Sequence, residues 1–223
     1  MADPDGPLGA TPARLVPRGP AALDRVAEAL AAGAVVAVPT DTVYGLAVRA
    51  SLPEAAATLS RAKGRDEATP TQVLVADRTQ AEALAAPGTL TGPIAGLLDR
   101  FWPGGLTVVL PRRPGVTLDL GGQEDSVGLR CPDDPWLQAL CRRVGPLAAT
   151  SANRHGEPPL TTAEAVVATL GEAVALVVDG GVGGQLASSV LDLRAAPRVL
   201  REGAIPSGAL LAALGDAGEA GGS

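Results

Sequence analysis

The sequence predicts a single α/β domain built on a twisted, open, mixed sheet with flanking helices. Strand-like apolar segments alternate with helix-like ones early in the chain and then cluster, with ALVVDGG, SSVLDL and RVLREG following one another with little helix between. That order departs from a regular doubly wound array. The length of 223 residues suits one large domain with a full core. Hydrophobic residues make up 46% and aromatics only 2%, so the core must be filled by Val, Leu, Ala and Ile.

Residues 1–19 are rich in Pro, Gly and Ala without apolar periodicity and are expected to form a flexible segment. Leu23, Val26, Ala27 and Leu30 then follow helical spacing, with Gly33 as the stop. AVVAVP (34–39) reads as a buried strand and TVYGLAV (42–48) as a second extended piece. Ser51 and Glu54 fit a capping box with Pro53 in the first turn, for a helix ending at Gly64 that leaves Lys63 and Arg65 at its C-terminal end. QVLVA (72–76) is a strand, Asp77 with Gln80 opens another helix, and TGPIAGLLDRF (91–101) is a helix closed by WPGG.

LTVVL (106–110) and SVGLR (126–130) are strands, and Asp134 followed by Pro135 starts a helix through about Val144. PLAAT (146–150) is a short strand leading into SANRHG, after which Thr161 with Glu164 caps a helix that stops at Gly171. Three clustered strands and a last helix over 206–214 complete the folded unit, 20–214, and leave 215–223 as a small, polar, flexible tail. No fixed-period repeat or linker-like stretch divides the unit.

No apolar run approaches the roughly 18 residues of a membrane span, and the N-terminus lacks a basic and apolar leader, which predicts a cytoplasmic protein. The net charge of −6 argues against a general electrostatic grip on nucleic acid, so an anionic ligand must meet a local basic cluster. Lys63 is the only lysine among the 18 basic residues, which hints at a site wanting a compact point charge. Cys131, Cys141 and the single histidine, His155, are too few for a zinc site, and the cysteines read as buried free thiols.

No GxGxxG, GxxxxGK[ST] or GxSxG motif is present, so the Rossmann, P-loop and hydrolase readings lose their support. Polar residues instead gather where strands turn into loops: PTDTVYGL (39–46), RAKGRD (61–66), FWPGGLT (101–107), TSAN (150–153), and SSVLDL with VLREG. Together they can line one cleft. Lys63 and Arg65 flank a glycine, so an ammonium and a guanidinium can meet one triphosphate, or simply complement a helix C-terminus. Ser151 and Asn153 are two apart after a strand and can face one way, or form a local turn with a left-handed Asn.

These segments resemble the YrdC-like family of L-threonylcarbamoyladenylate synthases over about residues 20–205. PTDTVYGL, Lys63-Gly64-Arg65, FWPGGLTVVL, VGLRCP, Ser151-Ala152-Asn153 and VLREG match in order and approximate spacing. The resemblance implies a nucleotidyl transfer: L-threonine and bicarbonate give N-carboxythreonine, whose carboxylate displaces pyrophosphate from ATP, for the threonylcarbamoyl modification of tRNA adenosine. It implies catalytic roles for Lys63, Arg65, Ser151 and Asn153. ATP contacts are implied for these four with Thr69, Ser126 and Arg201, and threonine contacts for Thr42, Arg130, Thr150 and Ser188, with Ser189 as the alternative to Ser188.

ATP is then a substrate and Mg²⁺ is bound through the nucleotide, with no metal site implied on the protein itself. Downstream threonylcarbamoyl-transfer proteins and tRNA are indirect partners, and no membrane is involved. Arg112-Arg113 and Arg142-Arg143 read as solvated faces and are the places left for contact with double-stranded RNA. Tyr44 reads equally as core volume or as a site hydroxyl.

Competing readings are a carbamoyl-adenylate-forming enzyme, which would ignore threonine, and an RNA-binding or ribosome-maturation factor with a degenerate pocket. The chain departs from the family pattern at 66–72, at Leu74 where some relatives carry histidine, and at Pro159 where some carry serine. No extra C-terminal domain is expected.

Overall fold

The computed structural model describes residues 14–65, 69–122 and 124–219. Ten strands form one mixed sheet: β1 (Arg14–Pro17), β2 (Val36–Val38), β3 (Gly45–Arg49), β4 (Gln72–Leu74), β5 (Leu106–Pro111), β6 (Ser126–Arg130), β7 (Leu147–Ser151), β8 (Leu176–Asp179), β9 (Ser189–Asp192) and β10 (Arg198–Arg201). Their spatial order is β1-β8-β2-β3-β7-β4-β6-β5-β9-β10. Four neighbouring pairs are parallel (β1/β8, β2/β8, β4/β6, β5/β9) and the rest antiparallel, which is the mixed sheet expected from the sequence.

The helices are α1 (Pro20–Ala31), α2 (Ala55–Ala62), α3 (Arg78–Glu82), α4 (Gly92–Phe101), α5 (Pro135–Val144), α6 (Ala163–Leu170) and α7 (Ser207–Glu219). Strand alternation divides the apolar residues between two faces. One face carries Leu46, Val48, Val73, Leu106, Val108, Leu129, Ala148 and Leu191 into the main core, against α2, α4, α6 and α7. The other carries Val36, Val38, Ala47, Leu74, Leu147 and Val178 into a second core, covered by Val26 and Leu30 of α1 and Leu137 and Leu140 of α5.

These two helices reach only across the β1-to-β4 half of the sheet. On β6, β5 and β9 the same face presents Gly128, Arg130, Thr107 and Val190, which no helix covers, and a cleft opens there. The site therefore follows from incomplete layering: the alternation persists, but its outward residues change from aliphatic to polar.

Four expectations need correction. Arg14–Pro17 lies inside the segment expected to be flexible, yet it pairs in parallel with β8 and buries Val16 at the sheet edge. Residues 1–13 of that segment and 220–223 of the tail lie outside the described residues. Helix α7 continues past 214 to Glu219, running through Gly215, a tolerable cost of about 1 kcal/mol in an outer helix.

Ser51 and Glu54 form no capping box. The chain turns at Leu52, whose N–H donates to Arg49 O, and Glu54 itself is the N-cap in a left-handed conformation (φ 57°) without a side-chain cap. The cap of α6 is Thr162, one residue beyond Thr161, and its Oγ1 accepts from Ala165 N at 3.2 Å.

Helix α5 is as expected. Asp134 Oδ1 accepts from Leu137 N at 2.9 Å and also meets the Arg18 guanidinium, which ties the cap to the chain entering α1. Tyr44 resolves as core: its ring is buried, its hydroxyl donates to Gly181 O and accepts from Gly180 N, and burial raises its pKa. Cys131 and Cys141 are buried free thiols, with burial pushing them up to about 11 and about 12.

Asp134→Ala removes both a cap and the partner of Arg18. We expect it to lower the unfolding free energy by about 1–2 kcal/mol, measured by urea denaturation at pH 7; a loss below about 0.3 kcal/mol would show that the cap is not what holds α5 in place.

Candidate active site

The cleft has a volume of about 420 Å³. Its floor is the uncovered sheet face: Gln72 of β4, Gly128 and Arg130 of β6, Thr107 and Val109 of β5, and Ser151 at the end of β7. Thr42, in the loop before β3, borders it, as do Ser188 and Val190 around β9 and Leu200 and Arg201 of β10. Of the residues expected at a site, Thr42, Ser126, Arg130, Thr150, Ser151, Ser188 and Arg201 all line this one cleft. The register pairs Thr150 with Leu46, on the opposite face from Ser151, so Thr150 borders the cleft chiefly with its main chain.

Lys63 stands behind Ser151. Helix α2 ends at Ala62, and Gly64 takes a positive φ (70°) that turns the chain away and leaves the Lys63 side chain directed across the gap to β7. Its Nζ donates to Ser151 O at 2.8 Å and to Asn153 Oδ1 at 2.7 Å, with a longer contact of 3.3 Å to Ser151 Oγ. The residue is only 5% exposed. Burial first, and the Arg65 charge second, pull its pKa down to about 8.

Asn153 is fully occupied in this arrangement. Its Oδ1 accepts from Lys63 and from Ser151 Oγ at 2.6 Å, and its Nδ2 donates to Arg154 O and Glu157 O. In this arrangement the residue fixes Lys63 and Ser151 in place.

Arg65 and Thr69 meet at a residue the sequence did not single out, the buried Ser60 of α2. Ser60 Oγ accepts from Arg65 Nη2 at 3.3 Å and from Thr69 N at 3.4 Å. Neither Arg65 nor Thr69 is part of the cleft wall, although Arg65 is close enough to act on Lys63. Arg65 Nε is buried with no partner among the described residues, a donor left open beside the ammonium.

At the opposite end Arg130 is 2% exposed. Its Nη2 donates to Asp41 Oδ1 at 2.6 Å and its Nε to Gly104 O at 3.0 Å. Burial lowers its pKa and Asp41 opposes the shift. Thr40 Oγ1 donates to Val43 O at 2.7 Å, so in its 3.0 Å contact with Thr42 Oγ1 it must accept. Thr42 thus spends its only proton inward and turns lone pairs outward.

Arg201 donates twice to Ser188 O and, at 3.1 Å, to Ser188 Oγ. Leu74, suspected of costing a ligand contact, is instead buried in the second core. Of the two arginine pairs expected to be solvated, Arg142 and Arg143 are exposed as expected and Arg112 and Arg113 are not. Arg112 and Arg113 are half-buried and donate to main-chain carbonyls, while Arg142 and Arg143 pair with Asp77 and Asp24. Gln72 and Ser60 were missed, while Asp41 and Thr107 lie inside PTDTVYGL and FWPGGLT, the segments expected at the cleft, without a specific role; the available signals were polar residues at strand ends or interrupting apolar segments.

The Sua5/YciO/YrdC family model, which carries the description "Telomere recombination", matches residues 28–203. The chain belongs to this family. A putative threonylcarbamoyl-AMP synthase of Mycobacterium tuberculosis is 40% identical over 189 residues, covering 84% of this chain and 86% of the relative. The threonylcarbamoyl-AMP synthase of Bacillus subtilis is also 40% identical, but this chain spans only 53% of its length.

The crystal structure of P. abyssi Sua5 complexed with L-threonine superposes with a TM-score of 0.80 at 32% identity, over 93% of this chain and 62% of that one. The mixed open sheet with flanking helices is thus the family's fold. Among the described residues, no helix is long and apolar enough to cross a membrane.

With the Lys63 pKa near 8, the ammonium is mostly charged at pH 7 and loses its proton as pH rises through about 8. Affinity for ATP or tripolyphosphate, followed by calorimetry, should therefore fall above that pH in the wild type. Lys63→Met should bind weakly and show no such step; an unchanged step in that variant would assign the ionisation elsewhere.

Proposed function

We propose that the chain is a threonylcarbamoyl-AMP synthase, forming threonylcarbamoyl-AMP and pyrophosphate from L-threonine, bicarbonate and ATP. The observation that supports the reading is a cleft lined by Arg130, Thr42 and Ser151, with the Lys63 ammonium held just behind the Ser151 wall by the Ser151 carbonyl and Asn153. The Lys63 side suits a polyphosphate and the Arg130 side a small amino acid. The amine of threonine attacks the carbon of bicarbonate, water leaves, and the resulting carbamate oxygen attacks the α-phosphorus of ATP and expels pyrophosphate.

Phosphoryl and nucleotidyl transfers depend on positioning and on neutralising developing charge. On this reading Lys63, with Arg65 swinging from Ser60, takes the leaving phosphates, and Ser151 orients them. Arg201 with Ser126 and Thr69 completes the nucleotide contacts. Arg130 holds the threonine carboxylate, and Thr42, turned acceptor, takes an N–H of its amine. Ser188 closes that end, and the main chain of Thr150 borders the cleft beside Ser151.

The donor set is cationic and neutral, and among the described residues no three His, Cys, Asp or Glu side chains gather into a metal-ligating group. Mg²⁺ bound through the phosphate oxygens of the nucleotide would supply charge neutralisation there. The product serves downstream threonylcarbamoyl-transfer proteins and, through them, tRNA. Direct contact with double-stranded RNA would rest on Arg142 and Arg143, already paired with Asp77 and Asp24.

Purified protein should release pyrophosphate from ATP only when L-threonine and bicarbonate are both present. Lys63→Ala should lower kcat/KM for ATP on the order of 10²-fold while remaining folded. Pyrophosphate release that ignores threonine would overturn the reading.

A further inference from the structure

Four side chains on the cleft floor form a hydrogen-bond relay that the family resemblance does not use. Arg201 Nη2 donates to Ser188 Oγ at 3.1 Å, Ser188 Oγ lies 2.9 Å from Thr107 Oγ1, and Thr107 Oγ1 lies 2.6 Å from Gln72 Oε1. Ser188 and Thr107 are each 2% exposed, so their protons must find partners within the protein. A guanidinium has donors and no acceptor, so Ser188 Oγ accepts from Arg201. Thr107 passes its proton to the Gln72 carbonyl oxygen, and the Ser188 proton has Thr107 Oγ1 at 2.9 Å and, at the limit of hydrogen-bond distance, Gln72 Oε1 at 3.5 Å as acceptors.

The opposite orientation of the Gln72 amide fails on two counts. With Nε2 toward Thr107, the Thr107 proton would turn to Ser188, which would then face only donors and bury its own hydroxyl proton unpaired. The 2.6 Å separation is also an O–H···O distance, short of the usual N–H···O range of about 2.7–3.2 Å. Gln72 Nε2, with two protons, is therefore the atom turned away from the relay and into the cleft, of which Gln72 is a lining residue. Beneath it the parallel register of β4 and β6 places Gly128, whose missing side chain lets a ligand approach the floor.

We propose that Gln72 is a substrate-binding residue that donates from Nε2 to a carboxylate oxygen of the amino acid or of its N-carboxylated form, and that Thr107 is the positioning residue that sets its orientation. The assignment to the amino-acid end follows from the relay itself. Ser188 is one of its members, and Thr107 stands opposite Arg130 where β5 runs antiparallel to β6. The inference rests on the synthase reading above.

The test is pyrophosphate-release kinetics with threonine, bicarbonate and ATP varied in turn. Gln72→Leu should raise KM for threonine or for bicarbonate by about tenfold or more, and leave KM for ATP within about twofold. A rise for threonine alone identifies the α-carboxylate as the acceptor; a rise for bicarbonate, or for both, identifies the N-carboxylate. Thr107→Val should reproduce the loss, Thr107→Ser should restore it, and Gln72→Leu combined with Thr107→Val should add no further loss, as expected of two groups acting through one contact.

Unchanged KM values in Gln72→Leu, or a Thr107→Ser variant as impaired as Thr107→Val, would overturn the proposal while the synthase reading stands. Wild-type protein that turns over ATP without threonine would overturn the reading and the proposal together.

Discussion

A buried ammonium is the constraint on which the site depends. Lys63 is nearly inaccessible, and removing its charge from water costs several kcal/mol unless oxygen acceptors surround it. Those acceptors come from residues 151–153, far along the chain, so the end of α2 and the end of β7 are held to each other by the charge they must share. All the acceptors are neutral. They satisfy geometry without cancelling charge, and the depressed pKa records the deficit: the shift to about 8 amounts to about 3 kcal/mol of bias against the charged form. An arriving polyanion offsets it. Lys63 is therefore a cation that is stabilised in position but under-stabilised in charge, the condition in which binding a phosphate gains most. The same depression means that Lys63 favours folding least below pH 8, and progressively more as pH rises toward the unfolded value of 10.5, where the unfolded chain binds the extra proton.

The second determinant is where the helices stop. Both sheet faces alternate regularly, and the face opposite the main core changes from Val, Leu and Ala to Thr, Gly, Arg and Ser in passing from β4 to β6 and β5. Nothing in those strands breaks the fold, since their other face carries Leu106, Val108 and Leu129 into the main core. The protein thus obtains a polar floor without a loss of core, and rigid strands rather than mobile loops hold most of the ligand-facing side chains. Gly128 in the middle of that floor illustrates the trade: it gives up β-propensity and packing for access.

Much of this was legible in the sequence, for local reasons. Asp134-Pro135 predicts the start of α5 because an N-cap carboxylate and a preset φ act within four residues. Lys63 and the Ser151–Asn153 pair could be nominated because their spacing is set by a helix end and a strand end. What escaped is non-local. Strand β1 carries no periodicity of its own and exists because β8 offers it an edge. The capping box at Ser51 lost to a turn fixed by the Arg49 carbonyl, and the role of Asn153 could not be read until the carbonyls of Arg154 and Glu157 were seen to consume its amide protons. Gln72 and Thr107 belong to separate strands, and only the register that sets them around Gly128 gives either a function.

The electrostatics of the two ends differ in kind. Arg130 is matched by Asp41, so together they form a nearly neutral pair whose guanidinium orients more than it attracts. Among the described residues Lys63 has only neutral acceptors, and Arg65, beside it, keeps a buried nitrogen without a partner. A zwitterionic amino acid, with no net charge, would be poorly discriminated by a bare cation; it is suited to a balanced pair flanked by an acceptor hydroxyl such as that of Thr42. A polyphosphate, with several charges, is drawn to the uncompensated end. Arg201 stands between these regimes: burial and the nearby Arg130 both lower its pKa, and it too is held by neutral Ser188 oxygens. On the proposed reading Arg201 contacts the nucleotide while its partner Ser188 lies at the amino-acid end, so one uncompensated cation sits where the two substrates must meet. A carbamate oxygen approaching the α-phosphorus brings two anionic groups together, and a guanidinium at that junction neutralises charge where it develops.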